Sequence, residues 1–274
     1  MPKQQINFIP CLLLLLSFSL YFSLISKGPY HLDCLELAIQ AEKTLTTGKL
    51  HYLFGPGYPL VVILGAFCIF ILKLFGINDP VMGVNLMSAV TGALSVPVFY
   101  TLVKKMLDSR TALLSAVAYG LTPIIMESST YGKSHAPTLL FLFLGLNFLM
   151  DYRQNYRRKD IILSAIALGF MGAARLQDLI LVGPSIFYFC CYTDWQKSKN
   201  ITVALKNILL MMILTGITVI AFGAMIWAHY DIVYIGHHLY EGWYKGSTIT
   251  QIYDFQFFRL YPKGTRTDAI NNAV

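Results

Sequence analysis

The sequence predicts an all-α integral membrane protein, and three observations predict it. The 274-residue chain is 56% hydrophobic and only 13% charged, about half the charged fraction of a soluble domain. Apolar runs long enough to cross roughly 30 Å of hydrocarbon recur along nearly its whole length. The Lys and Arg residues behind its net charge of +7 gather in short clusters between those runs. That is the charge bias of a multi-span membrane protein. It is not the basic, aromatic face of a nucleic-acid module, so no nucleic-acid partner is expected. The cysteines, Cys11, Cys34, Cys68, Cys190 and Cys191, are odd in number and show no CxxC or His/Cys spacing. Neither a disulfide framework nor a zinc site is expected.

The first apolar run is Phe8–Ile25, preceded by Lys3. No small-x-small cleavage site follows, so it reads as an uncleaved span rather than a signal peptide. The segment Lys27–Pro56 is the most polar of the first half. Within it Leu32, Leu35, Ile39 and Leu45 recur at helical spacing. This predicts an amphipathic helix over 31–47 lying near the membrane surface, with Gly48 ending it. Gly55-Pro56-Gly57-Tyr58-Pro59 breaks the chain, and Leu60–Phe75 is strongly apolar. Further runs are Val81–Val103, Thr111–Met126, Ala136–Met150, Ile161–Ala174, Leu179–Tyr192 and Ile201–His229. One helix over 161–192 would reach about 48 Å, too long for a bilayer. A turn is therefore predicted at Arg175-Leu176-Gln177-Asp178. The chain divides into a transmembrane domain, 1–229, and an aromatic, polar tail, 230–274, read as external.

Three basic clusters, Lys104-Lys105 with Arg110, Arg153 with Arg157-Arg158-Lys159, and Lys197 with Lys199 and Lys206, are each separated by two runs. All three therefore face one side, the cytoplasm. Two topologies remain. If Leu60–Phe75 spans, the N-terminus is external; if it does not, the N-terminus is cytoplasmic and the Asp33 loop external. No fixed-period repeat is visible.

Several residues have the chemistry for a site. Asp33 and Glu36 are three apart and share a helix face. They suit a general base or a divalent cation, and equally acids placed near a helix N-terminus by the dipole. Glu127 opens a loop that also carries Lys133 and His135; it reads as a site loop or as an ordinary polar connection. Arg175 suits a phosphate clamp, or a pair with Asp178 in which each neutralises the other. Charges this close to hydrocarbon are expensive and invite a functional reading. No Walker or dinucleotide pattern is present, so no nucleotide cofactor is indicated.

The run from His31 to Gly76, with "HYLFGPGYPL" at its centre, resembles the opening of C-fold glycosyltransferases. It is similar to the protein O-mannosyltransferase-like families, which use dolichyl- or polyprenyl-phosphate sugars. In those families an acidic residue follows the first span, and a motif ending in GYPL opens an apolar helix. Here that motif is degenerate, because Tyr52-Leu53-Phe54 intervenes after His51. The segment 84–132 is similar to the next two spans and basic turn, and "GFMGAARLQDLILVGPSIF" to a later Arg-containing turn. The resemblance covers residues 28–193.

The resemblance implies an external first loop, a juxtamembrane GYPL-type helix, a cytoplasmic N-terminus and about seven spans, with an external amphipathic helix pair after the first. It implies Asp33 as the catalytic acid-type residue, deprotonating an acceptor hydroxyl or orienting it through a divalent cation. Glu36 and Glu127 would be further acidic positions, and Arg175 and Lys133 ligands for the donor phosphate. His31, His51, Tyr58 and His135 would line the substrate loops. The partners implied are a lipid-linked sugar donor and membrane lipids. Family members are usually longer, so a fragment, a short form or an inactive remnant is also an expectation. A transporter or carrier, and a non-catalytic membrane scaffold, are the competing classes.

Overall fold

The computed structural model describes residues 8–29, 31–51 and 58–227. The Gly55-Pro56-Gly57 turn and the 230–274 tail lie outside them. The described residues form ten helices and no strand. They are α1 (Ile9–Ser23), α2 (Leu32–Thr47), α3 (Pro59–Leu74), α4 (Pro80–Met106), α5 (Ser109–Leu121), α6 (Pro123–Thr130), α7 (His135–Asn155), α8 (Arg158–Ala174), α9 (Leu176–Ser198) and α10 (Ile201–Trp227).

Local chemistry sets many of their ends. His31 caps α2, its ring accepting from the Asp33 N–H at 3.3 Å. Gly48 closes that helix in the left-handed region, φ 68°, where glycine carries no Cβ penalty. Asp79 accepts from Val81 N and Met82 N to start α4, with Pro80 in its first turn. Asp108 does the same for α5 through Arg110 N and Thr111 N. These capping bonds hold the exposed Asp108 carboxyl below its ordinary range, the Thr111 hydroxyl contributing most. Pro123 ends α5 by disfavouring helix at Thr122, and α6 leaves at 58°.

The long helices run up and down. α1 lies along α4: Ser17 Oγ donates to Ala93 O at 3.1 Å and Tyr21 OH to Gly120 O at 2.8 Å. α7 lies along both α4 and α8, and α10 covers α8 and α9. The three basic clusters meet at one end. Lys105 pairs with Asp151 at 2.8 Å, and Lys197 donates to Gln154 O at 3.4 Å. Buried there, Asp194 accepts from Tyr152 and, at 3.2 Å, from Asn207.

The opposite end carries α2 and α3. Their buried side chains, including Cys34, Ala41, Val61 and Ile69, form one apolar cluster with Val84 and Met87 at the start of α4, with Tyr131 and with Ala173-Ala174 at the end of α8. Lys73 near the end of α3 pairs with Glu42 of α2 at 3.1 Å. α3 is therefore packed against α2, the start of α4 and the end of α8. α2 and α3 thus pack as a pair after α1, but α3 is apolar on its exposed side too, with Phe67, Phe70 and Leu74 outward, so only α2 has the expected amphipathic character.

By length and composition three described helices can cross a membrane, α4, α9 and α10, and α5–α6 makes a fourth as one bent span. α1 and α3 have 15 and 16 residues, about 22–24 Å of helix against roughly 30 Å of hydrocarbon. The expected seven would need α1, α7 and α8 as well.

Candidate active site

The end that carries α2 and α3 also gathers most of the expected site residues. Arg175 is the single non-helical residue between α8 and α9, with extended backbone (φ −162°, ψ 96°). The predicted four-residue turn is thus one residue long, and Gln177 and Asp178 already belong to the first turn of α9. The Arg175 Nη1 stands 3.0 Å from His135 Nε2 at the first residue of α7. Its Nε lies 3.5 Å from Asp178 Oδ1 and is buried with no hydrogen-bond partner. The guanidinium therefore has a carboxylate neighbour without being fully satisfied by it.

His135 lies one residue ahead of the apolar run Ala136–Met150. Burial, then the charges of Arg175 and Lys133, hold its imidazole down at about 4. A neutral ring is the form that tolerates a guanidinium in contact.

Tyr58 joins this group to the first loop. It caps α3 in the left-handed region (φ 43°) and is buried. Its hydroxyl accepts from Gln177 Nε2 at 2.8 Å. Burial pushes its ionisation up, and the charges of Arg175, Asp178 and Asp33 act on it more weakly, the first against the other two. Asp33, Tyr58, Arg175 and His135 thus share one neighbourhood, although 142 positions separate Asp33 from Arg175.

The second loop sits beside it. Tyr131 OH donates to Glu127 Oε1 at 3.1 Å, and Lys133 Nζ donates to Tyr131 OH at 2.9 Å. Burial raises the ionisation of Tyr131 most strongly. One buried side chain positions both loops. Asn85 of α4 accepts from Gly132 N at 2.7 Å and from Cys34 Sγ at 3.2 Å, and donates to Ser26 O at 2.9 Å. Gly132 is required at that point, because a Cβ would fall 2.5 Å from Val84 Cγ2.

Other expected residues stand apart. Glu36 accepts from Gln40 Nε2 at 2.6 Å on its own helix. His31 is exposed, and its Nδ1, which accepts the Asp33 N–H, lies 3.5 Å from the Asp33 carboxylate. His51 is tied to the far end of α2, its N–H donating to Thr44 Oγ1 at 3.0 Å and its ring 3.2 Å from Thr47 Oγ1. That is about 20 Å along the helix from Asp33. Among the described residues no three His, Cys, Asp or Glu side chains group as a metal site would require.

Gln177 and Asn85 were not singled out from the sequence. Gln177 lies inside the Arg-Leu-Gln-Asp turn, and Asn85 is a lone polar residue in an apolar run, the pattern that marks a buried hydrogen-bonding role.

Residues 59–227, more than half of the chain, match the family of dolichyl-phosphate-mannose-protein mannosyltransferases, and the chain belongs to that family. It is a membrane glycosyltransferase of the C-fold type. The match includes Glu127, Lys133, His135 and Arg175, and begins just after Tyr58. No curated protein and no solved structure matches the chain.

Proposed function

We propose that the chain transfers a sugar from a dolichyl- or polyprenyl-phosphate donor to a hydroxyl acceptor, at the end of the bundle that carries α2, α3 and Arg175. The carrying observation is a partly satisfied guanidinium: Arg175 lies against the His135 ring, its buried Nε without a hydrogen bond, and both its charge and that of Asp33 act on the buried Tyr58 hydroxyl. The family's own description names a dolichyl-phosphate mannose donor, which supports this donor class.

In this reading the acceptor oxygen attacks the sugar's anomeric carbon. The bond from that carbon to the phosphate oxygen breaks, and the lipid phosphate departs carrying the electron pair. Asp33 takes the acceptor proton. Arg175 stabilises the charge that develops on the phosphate, where its planar fork suits two oxygens. Lys133 supplies a second cation. His135 holds the guanidinium in place, Tyr58 fixes Gln177 beside it, and Glu127, through Tyr131, orients Lys133. Glu36 and His31 border the acceptor side of the first loop. The end bearing the basic clusters is cytoplasmic, so the site is external or lumenal and the N-terminus cytoplasmic. The crossings are α1, α4, α5–α6, α7, α8, α9 and α10, with α2 and α3 at the external surface.

The test is transfer of radiolabelled sugar from mannosyl, glucosyl and arabinosyl polyprenyl-phosphate donors by the full chain. Asp33→Asn keeps the side chain's shape and removes its charge. A role limited to the helix dipole loses only about 0.3–1 kcal/mol. A general base loses roughly 10²–10⁴-fold in rate, about 3–5 kcal/mol of barrier. Wild-type turnover in Asp33→Asn would remove the catalytic role, and no transfer by the wild-type protein from any of the three donors would overturn the reading.

A further inference from the structure

The basic end holds a feature that sugar transfer does not use. α9 packs chiefly on α8 and α10 and touches α7 little, so a gap opens between α4, α7 and α9. It is a cavity of about 420 Å³, walled by Leu102, Leu146, Met150, Leu181, Ile186 and Phe189 among others, with Ser185 as its one polar side chain. This size falls within the range of ordinary ligand pockets, roughly 300–1,000 Å³. Leu181 and Met106, both lining residues, are 65% and 61% exposed, so the cavity opens sideways out of the bundle. It lies in the half of α7 and α4 nearest the basic end.

The charge at its rim identifies the occupant. Arg153 lies over the ring of Phe189, 5.6 Å from its centroid. It is exposed and has no carboxylate partner among the described residues, whereas its neighbour Lys105 is paired with Asp151. The segments 104–110, 151–160 and 194–206, which form this end, carry ten Lys and Arg against four Asp. An apolar slot open to hydrocarbon accepts an acyl chain, and a free guanidinium at its mouth selects a phosphate or other anionic headgroup.

We propose that this groove is a phospholipid site, holding one acyl chain of an anionic lipid with its headgroup on Arg153. The site is independent of the sugar-transfer reading and lies at the other end of the molecule.

The full chain would be reconstituted into nanodiscs of equal phosphatidylglycerol and phosphatidylcholine, released, and weighed by native mass spectrometry. The expected result is one retained phosphatidylglycerol, favoured several-fold over phosphatidylcholine. Arg153→Gln is expected to equalise the two lipids while a lipid is still retained. Ser185→Trp, which fills the slot, is expected to abolish retention with the far-ultraviolet spectrum and elution volume unchanged. If Ser185→Trp does not fold, Leu181→Trp at the exposed mouth takes its place with the same expectation. Equal retention of both lipids by the wild-type protein, no retained lipid, a lipid-free dimer whose second copy covers the groove, or full retention in the groove-filling variant would each overturn the proposal.

Discussion

The two ends of the bundle treat charge in opposite ways. At the basic end the buried carboxylates are answered: Asp194 by Tyr152 and Asn207, Asp160 by Arg157 at 3.1 Å. At the other end Arg175 has Asp178 at 3.5 Å and a neutral imidazole against it, and its buried Nε makes no hydrogen bond. Gln177 Oε1, two residues on in the first turn of α9, is also buried without a partner. A closed network rigidifies a helix junction, and a buried polar group left without a partner is costly. The contrast is that buried carboxylates at one end have their partners, while the buried guanidinium at the other is satisfied only in part.

Swapping the loss between the ends tests this division. Arg175→Ala is expected to lower kcat/KM for the lipid-linked donor by about 10²-fold, in line with removal of one charge-stabilising donor. Arg175→Lys should lie between, because a point charge loses the bidentate fork. Thermal unfolding should move little in either variant. Equal destabilisation by both, with donor use intact, would make Arg175 a structural partner of Asp178 and erase the contrast.

Asp194→Ala should do the reverse. It leaves Asn207 and Tyr152 without their shared acceptor, at a cost of about 1–3 kcal/mol. The loss is read as a drop in the unfolding midpoint in detergent, with the rate per folded molecule unchanged.

A smaller and pH-selective effect is expected at His135. Its imidazole is held at about 4 against an ordinary value of 6.5, so the unfolded chain binds a proton that the folded chain refuses between those values. Stability is then complete above about 6.5 and declines as pH falls towards 4. His135→Gln should flatten that acid limb, and an unchanged pH profile would mean that the ring is not buried against Arg175. The gentlest probe concerns sidedness. Lys49→Cys and Lys104→Cys, in a background without the native cysteines, should react with an impermeant maleimide from opposite faces of the membrane. Labelling from the same face would place both ends of the bundle in one compartment.

The sequence by itself determined the class. An apolar fraction this large with so few charges has no soluble core to fill, and the basic clusters between apolar runs announce a multi-span chain that the all-helical fold bears out. It also determined α2 to within a residue at each end, because amphipathic spacing and Gly48 are local signals. The break at Arg175 was legible for the same reason: a bilayer limits helix length. Tertiary structure alone decided three things. Leu60–Phe75 reads as a span in composition, but only the tertiary structure packs α3 on α2, Val84 and Ala174. Asp33, Tyr58 and Arg175 become neighbours through helix packing over long sequence separations, which no local pattern encodes. His51 has the residue type of a site histidine, yet α2 carries it a helix length away. Composition and periodicity are sums over neighbours in the chain, so they specify helices; a site is a meeting of helix ends, and only their packing specifies that.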